Sequence, residues 1–120
     1  MENTQLQKTS WTFLTNHSHV LLCLASDCSM KMRKIAQEIG ITERAVQRII
    51  ADLEKAGYLT REKTGRRNSY RINTQMHLRH RVEGTRTIAD LIALGQGYNP
   101  AEPGEEDSTQ NQLTDQEGEK

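Results

Sequence analysis

The fold of this 120-residue chain depends on the stretch IAQEIGITERAVQRIIADLEKAGYL, residues 35–59, in which Gly40 separates two helix patterns. On each side of that glycine, apolar residues recur at i, i+3, i+4 and i+7, the spacing of an amphipathic helix. Glycine is typical of the left-handed residue that ends a helix, and the hydroxyl of Thr42 can cap the next one. The two apolar stripes are Met32, Ile35, Ala36 and Ile39, then Val46, Ile49, Ile50 and Leu53. The pattern predicts two helices that pack at an angle across a short turn.

The opposite side of the second helix carries a polar stripe at the same spacing, formed by Arg44, Gln47, Arg48 and Ala51. Arginine can bond bidentately to guanine and glutamine to adenine, and an α-helix fits the major groove of DNA. A charged stripe on its own is more often a solvated surface. The stripe therefore favours a base-reading helix only if the elements beside it also suit DNA.

Upstream of this pair, the sequence predicts a helix and a short extended segment. Thr15 or Asn16 can cap a helix that runs to about residue 25, because an apolar stripe follows. That stripe is made by Leu14, Leu21, Leu22 and Ala25. Residues 30–32 are predicted to form a very short strand. The predicted order is therefore helix, short strand, helix, turn and helix.

Downstream, the segment LTREKTGRRNSYRI, residues 59–72, predicts a β-hairpin, because TGRRN places turn residues between two partly alternating runs. Tyr70 and Ile72 alternate, so both are expected to face the helices. Five cations stand against the single acid Glu62, around a loop where long side chains can reach phosphate or a minor groove. They are Arg61, Lys63, Arg66, Arg67 and Arg71.

A last helix is predicted over residues 85–94, TRTIADLIAL, with Thr85 as its cap. Ile88, Leu91 and Ile92 fall on one face of this helix. Such a face can pack on its own domain, or it can pair with the same helix of a second copy. The sequence leaves both arrangements open.

Charge divides the chain into two unlike parts. Residues 1–100 hold 15 Lys and Arg against nine Asp and Glu, whereas residues 101–120 hold one Lys against seven acids. The second part has one leucine as its only large apolar residue, so burial cannot offset the entropy of ordering it. We therefore expect an N-terminal extension (1–14), a main domain (15–76), a loop and helix (77–96), and an acidic disordered tail (97–120).

Composition disfavours several classes of protein. No apolar run approaches the roughly 18 residues of a membrane span, and the N-terminus MENTQLQKTS lacks a secretory pattern, so a cytoplasmic protein is expected. The two cysteines are too few for a disulfide scaffold. We find no phosphate-binding glycine loop, nucleophile elbow or cluster of carboxylates on one element. The sequence therefore predicts neither an enzyme nor a cofactor.

Residues 15–72 resemble the winged helix-turn-helix domain of MarR-like and ArsR-like transcriptional regulators. The packing residues around Gly40 carry the resemblance, together with ADLEKAGYLTREKTGRRNSYRI, which is similar to the end of a recognition helix followed by a wing. The resemblance implies a mainly α fold with a small β-hairpin wing. It also implies sequence-specific binding to double-stranded DNA, with the recognition helix in the major groove and the wing on the backbone or minor groove. Such regulators commonly bind two half-sites as symmetric homodimers.

The resemblance also indicates which side chains contact DNA. On the recognition helix these are Thr42, Glu43, Arg44, Gln47 and Arg48. On the wing they are Arg61, Lys63, Arg66, Arg67, Asn68 and Arg71. Wing cations would supply salt-dependent affinity for any sequence, and the helix would supply discrimination between bases. The operator and any small-molecule effector are not predicted.

Other binding functions stay open. Winged helices can serve as protein-protein adaptors, although an adaptor should expose apolar rather than cationic residues on this stripe. RNA is a further candidate, although aromatics that stack on single-stranded bases are lacking. A thiol or metal sensor of the ArsR kind could use Cys23, Cys28, His17 and His19. Because Cys23 lies in an apolar run and no CxxC pair is present, no metal site is predicted.

Overall fold

The computed structural model describes residues 10–101, so residues 102–120 of the predicted acidic tail and most of the N-terminal extension lie outside the described residues. Within this range, four helices and one two-stranded antiparallel sheet form. In chain order they are α1 (Asn16–Ser26), α2 (Met32–Ile39), α3 (Glu43–Lys55), β1 (Leu59–Thr64), β2 (Arg67–Ile72) and α4 (Ile88–Leu94). The predicted fold class, mainly α with a small hairpin wing, is confirmed.

The turn between α2 and α3 has the predicted geometry. Gly40 adopts a left-handed φ of 89°, and its amide donates to the carbonyl of Ala36 at 2.8 Å. The hydroxyl of Thr42 then accepts from the amide of Ala45 at 3.0 Å and caps α3. A non-glycine residue at position 40 would be strained, because this φ brings a Cβ close to the backbone. The two caps confine the break between the helices to Gly40, Ile41 and Thr42.

One mainly aliphatic core lies between the four helices and the hairpin. Its most completely buried large side chains are Leu24, Ile35, Ile50, Ile88, Val20 and Val46. The stripe predicted for α1 is therefore wrong in part, since Ala25 is exposed and Leu22 only half-buried. Elements pack against α1 on several sides, namely α2, α3, α4 and β2. A helix so enclosed buries a broader face than one with a single packing partner.

The hairpin is tighter than predicted. Strands β1 and β2 pair from Leu59 opposite Ile72 to Thr64 opposite Arg67, which leaves a two-residue turn whose Gly65 has a φ of 63°. Tyr70 is buried and Ile72 half-buried against the helices, as their alternation predicted.

The short strand predicted over residues 30–32 is absent from the described structure, and that prediction is wrong. The preceding segment makes one backbone bond to the wing, from the amide of Tyr70 to the carbonyl of Cys28 at 3.0 Å. Met32 already belongs to α2, which begins without a side-chain cap at Lys31. Because Met32 is helical, only Met30 and Lys31 of the predicted strand lie outside α2, which is too few residues for a strand.

Helix α4 begins later than predicted, with Thr87 rather than Thr85 as its cap. The amide of Thr87 donates to the carboxylate of Asp90 at 2.9 Å, and the hydroxyl of Thr87 accepts from the amide of Asp90 at 3.4 Å. This backbone hydrogen bond lowers the pKa of Asp90. The cap lies at Thr87 because only that threonine has an acid three residues later to complete a capping box.

The C-terminal part of the described chain is fastened to α1 and α2 through Tyr98. Its hydroxyl donates to the carboxylate of Glu38 at 2.6 Å and lies 3.5 Å from the sulfur of Cys23. Burial and the bond to Glu38 raise the pKa of Tyr98, and burial raises the pKa of the Cys23 thiol. The acidic tail predicted from residue 97 therefore includes, among its first residues, Tyr98, which is packed on the domain. In residues 10–101, no helix has the length and apolar character to cross a bilayer.

Candidate nucleic-acid interface

Helix α3 presents two different faces. Val46, Ile49, Ile50 and Leu53 are buried, whereas the polar stripe of Arg44, Gln47, Arg48 and Ala51 is exposed along its whole length. This division follows from the helical period, because residues three and four apart share a face. The side chains of Arg44, Gln47 and Arg48 make no hydrogen bond or ion pair within residues 10–101. They are therefore available to an external partner.

The first turn of α3 also carries an acid. Glu43 is exposed, and its carboxylate lies 3.8 Å from the guanidinium of Arg33, which belongs to the first turn of α2. An acidic residue is favourable at this position, because the helix dipole places partial positive charge at the N-terminus. Thr42 directs its hydroxyl into the cap of α3, so the predicted contact of that side chain with DNA would have to share the same oxygen.

The end of the hairpin carries a second group of polar residues. Lys63, Arg66, Arg67 and Asn68 are exposed around the turn. Inside the described range, no ion pair or hydrogen bond involves the side chains of Lys63, Arg66 or Arg67. We call these three residues the wing-tip cations. Their charges are not neutralised by the domain itself, as binding to phosphate requires.

Two other predicted wing cations are held by carboxylates. Arg61 makes two hydrogen bonds to Glu54 of α3, at 3.1 Å and 3.2 Å, and these bonds raise the pKa of Arg61. Arg71 lies 3.2 Å from the carboxylate of Glu62 on the neighbouring strand. The first pair joins the base of the wing to the helix that carries the polar stripe. Arg61 therefore links β1 to α3, and Glu54 partly neutralises its charge.

Neither ion pair was predicted from the sequence. Glu62 was considered there only as the single acid among the cations of the hairpin. Glu62 lies directly opposite Ser69 across the hairpin, and Arg71 is two residues further along β2 on the same face. Side chains in this diagonal arrangement can interact, so the strand register is enough to pair Glu62 with Arg71. The contact of Glu54 with Arg61 crosses the turn after α3 and has no comparable signal in the sequence.

The residues considered for a thiol or metal sensor do not form one cluster. Cys23 is buried and Cys28 exposed, His17 lies 2.9 Å from the carboxylate of Asp52, and His19 bonds to Asn16 at 3.1 Å. Burial lowers the pKa of His19. Between residues 10 and 101, no group of three or more His, Cys, Asp or Glu side chains is placed to hold a metal ion.

Comparison with protein families agrees with this geometry. Residues 14–60 match the model of a winged helix-turn-helix DNA-binding family, a span that covers α1, α2, α3 and the start of β1. No curated protein matches the chain. The hairpin that follows the matched span supplies the wing. The described domain thus has a winged helix-turn-helix fold, and its helical part is similar to the winged helix-turn-helix DNA-binding family.

Proposed function

We propose that this protein is a sequence-specific regulator of transcription that binds double-stranded DNA as a homodimer, in the manner of MarR-like and ArsR-like proteins. It would act in the cytoplasm, without a cofactor or catalytic activity. One observation carries the proposal: the uncommitted side chains of Arg44, Gln47 and Arg48 lie on the exposed face of α3, in a domain whose wing tip is also cationic.

In the proposed complex, α3 enters the major groove. Arg44 and Arg48 can each donate two hydrogen bonds to guanine, and Gln47 can bond to adenine. Ala51 adds no bulk, so the stripe can approach the bases closely. Glu43 can accept from the amino group of cytosine, and Thr42 lies at the same end of the helix. These contacts would determine which sequence is bound.

The wing would supply affinity for the backbone or the minor groove. Lys63, Arg66 and Arg67 are suited to phosphate because their charges have no partner in residues 10–101. Asn68 can add a hydrogen bond at the same tip. Arg61 and Arg71 already contact Glu54 and Glu62, so we assign them mainly to holding the wing in position.

Two alternatives have less support. An adaptor would be expected to expose apolar residues on α3, whereas the stripe there is cationic and polar. A thiol sensor needs a reactive thiolate, whereas burial raises the pKa of Cys23 and so favours the neutral thiol. Neither alternative explains why the wing-tip cations lie in the same domain as the polar stripe.

Selection of bound sequences from a random duplex pool tests the proposal. We expect the purified protein to enrich a motif made of two related half-sites, because a symmetric dimer presents two copies of α3. Enrichment of one half-site alone would contradict the proposed homodimer but would still support base recognition by α3. Failure to enrich any sequence would contradict the proposed function.

Replacing Arg66 and Arg67 together by Ala should weaken binding to all duplexes alike. Each lost phosphate contact reduces the slope of log K against log salt by about 0.9, so we expect a slope smaller by about 2. Titration of specific and random duplexes at several salt concentrations measures both effects. Arg81→Ala is the control, since Arg81 is an exposed cation of the loop before α4. An equal change per charge in the control would mean that net charge, not the wing, governs affinity.

A further inference from the structure

An open groove lies beside the helical core, and no residue of β1 or β2 lines it. It has a volume of about 1180 Å³ and runs between the start of α1, the end of α3, the loop before α4 and α4 itself. The apolar residues that line it include Leu14, Leu21, Leu53, Leu78 and Leu91. We call it the side groove. An apolar groove of this size on a small domain is typical of a contact surface.

Large apolar side chains project from the edge of the same groove. Phe13 and Leu94 both line it, and they are 92% and 72% exposed. Trp11, 65% exposed, packs edge-on against Phe13 with ring centroids 4.9 Å apart. The two rings therefore form an exposed aromatic pair at the edge of the side groove. One face of the chain thus carries both an apolar groove and apolar side chains that could enter a groove of the same kind.

The side groove lies at the opposite end of α3 from the start of the polar stripe. Asp52, Lys55 and Ala56 line the groove, whereas the stripe begins at Arg44. Eight residues of α-helix separate Arg44 from Asp52, a rise of roughly 12 Å. A partner seated in the groove would therefore leave Arg44, at the start of the stripe, accessible to DNA, whereas Arg48 lies one helical turn from Asp52.

The remaining segments of this chain are poorly suited to fill the groove. Residues 1–9 contain Met1 and Leu6 as their only large apolar residues, and residues 102–120 contain Leu113 alone. A second copy of the chain brings Phe13, Trp11 and Leu94 on the matching face. It therefore carries the apolar groups that the other segments lack.

The charges at the edge of the groove also suit a copy of the same surface. Three acids and three bases line it: Asp52, Glu83 and Asp90, with Lys55, Arg79 and Arg86. A surface with both signs in equal number can face its own copy without net repulsion, and a two-fold interface brings the same patch together on both subunits.

We propose that two copies associate through their side grooves, with Phe13 of each copy seated in the groove of the other. This inference rests on the homodimer proposed above and assigns its contact surface. It also gives a use to Phe13, whose side chain is 92% exposed. The stripe begins at Arg44, about two helical turns before Asp52 of the groove, so the N-terminal part of each recognition helix stays available to DNA.

Sedimentation equilibrium of the full chain without DNA tests this arrangement. We expect the wild type to dimerise and Phe13→Ala to raise the dissociation constant about tenfold or more, since buried aromatic anchors dominate most interfaces. Leu94→Ala should weaken the dimer in the same direction. Val82→Ala is the matched control: Val82 is 81% exposed but does not line the groove, and its loss should leave the dimer unchanged.

Three outcomes would overturn the inference: a wild type that stays monomeric, a Phe13→Ala variant that dimerises as the wild type does, or an equal loss in Val82→Ala. Because Phe13 is so exposed, its variant should fold, and an unchanged unfolding temperature checks this. DNA selection separates this inference from the proposed function. If Phe13→Ala weakens the dimer but the wild type enriches no DNA sequence, the groove contact is supported and the proposed base recognition is contradicted.

Discussion

Replacing Arg44, Gln47 and Arg48 together by Ala should erase the preference of the protein for its selected duplex over random DNA. Each good bidentate contact discriminates by about 1–3 kcal/mol, which is about 5- to 150-fold in affinity. Binding to random duplexes should persist in weakened form, because the wing-tip cations are unchanged. Competition titrations with specific and random duplexes measure the ratio directly.

Single replacements make this test sharper. Gln47→Ala should relax the preference at one base position of each half-site, and an unchanged preference there would remove Gln47 from the base-reading set. Arg81→Ala serves as the control because it removes an exposed cation from the loop before α4. The unfolding temperature of the triple variant should stay close to that of the wild type, since exposed substitutions usually change stability by less than about 0.5 kcal/mol.

The helix pair could be predicted closely because its signals are local. Gly40 ends α2 because of its own backbone freedom, and Thr42 caps α3 through a bond only three residues long. The period of the apolar residues then determines which side of α3 faces solvent. None of these signals depends on the arrangement of distant elements, so the exposed position of the polar stripe followed from the sequence alone.

Features that depend on tertiary packing were harder to predict. The apolar stripe predicted for α1 includes Ala25, which is exposed, because the period does not show on which sides other elements pack against this helix. Arg61 lies in the wing as predicted, but nothing in the sequence indicates its contact with Glu54. The cap of α4 was misplaced because two threonines compete and only Thr87 has Asp90 at the right distance.

The predicted role of α4 changes with the same packing. Ile88 and Leu91 were candidates for contact with a second copy, but both are buried within the chain's own core. Both side chains also line the side groove, where the exposed large apolar residues are Phe13 and Leu94. A periodic pattern identifies an apolar face but carries no information about which surface covers it.

Replacing Ile50 by Ala should cost about 2–5 kcal/mol of unfolding free energy, the range measured for large-to-small changes in buried cores. Ile50 is 2% exposed, and it lies in α3 between Arg48 and Ala51, which face solvent. In a domain of about this size each kcal/mol lowers the unfolding temperature by about 4–8 °C. Thermal unfolding followed by circular dichroism should therefore show a large decrease.

The same variant separates the two faces of α3. Below its lowered unfolding temperature, Ile50→Ala should still prefer the selected duplex, because the polar stripe is intact. The triple variant of Arg44, Gln47 and Arg48 should show the reverse, with normal stability and no preference. Val82→Ala controls for truncation of an exposed side chain and should unfold as the wild type does. If Ile50→Ala instead lost its preference while fully folded, the buried face of α3 would also determine how the helix is presented to DNA, and stability and recognition could not be assigned to separate faces.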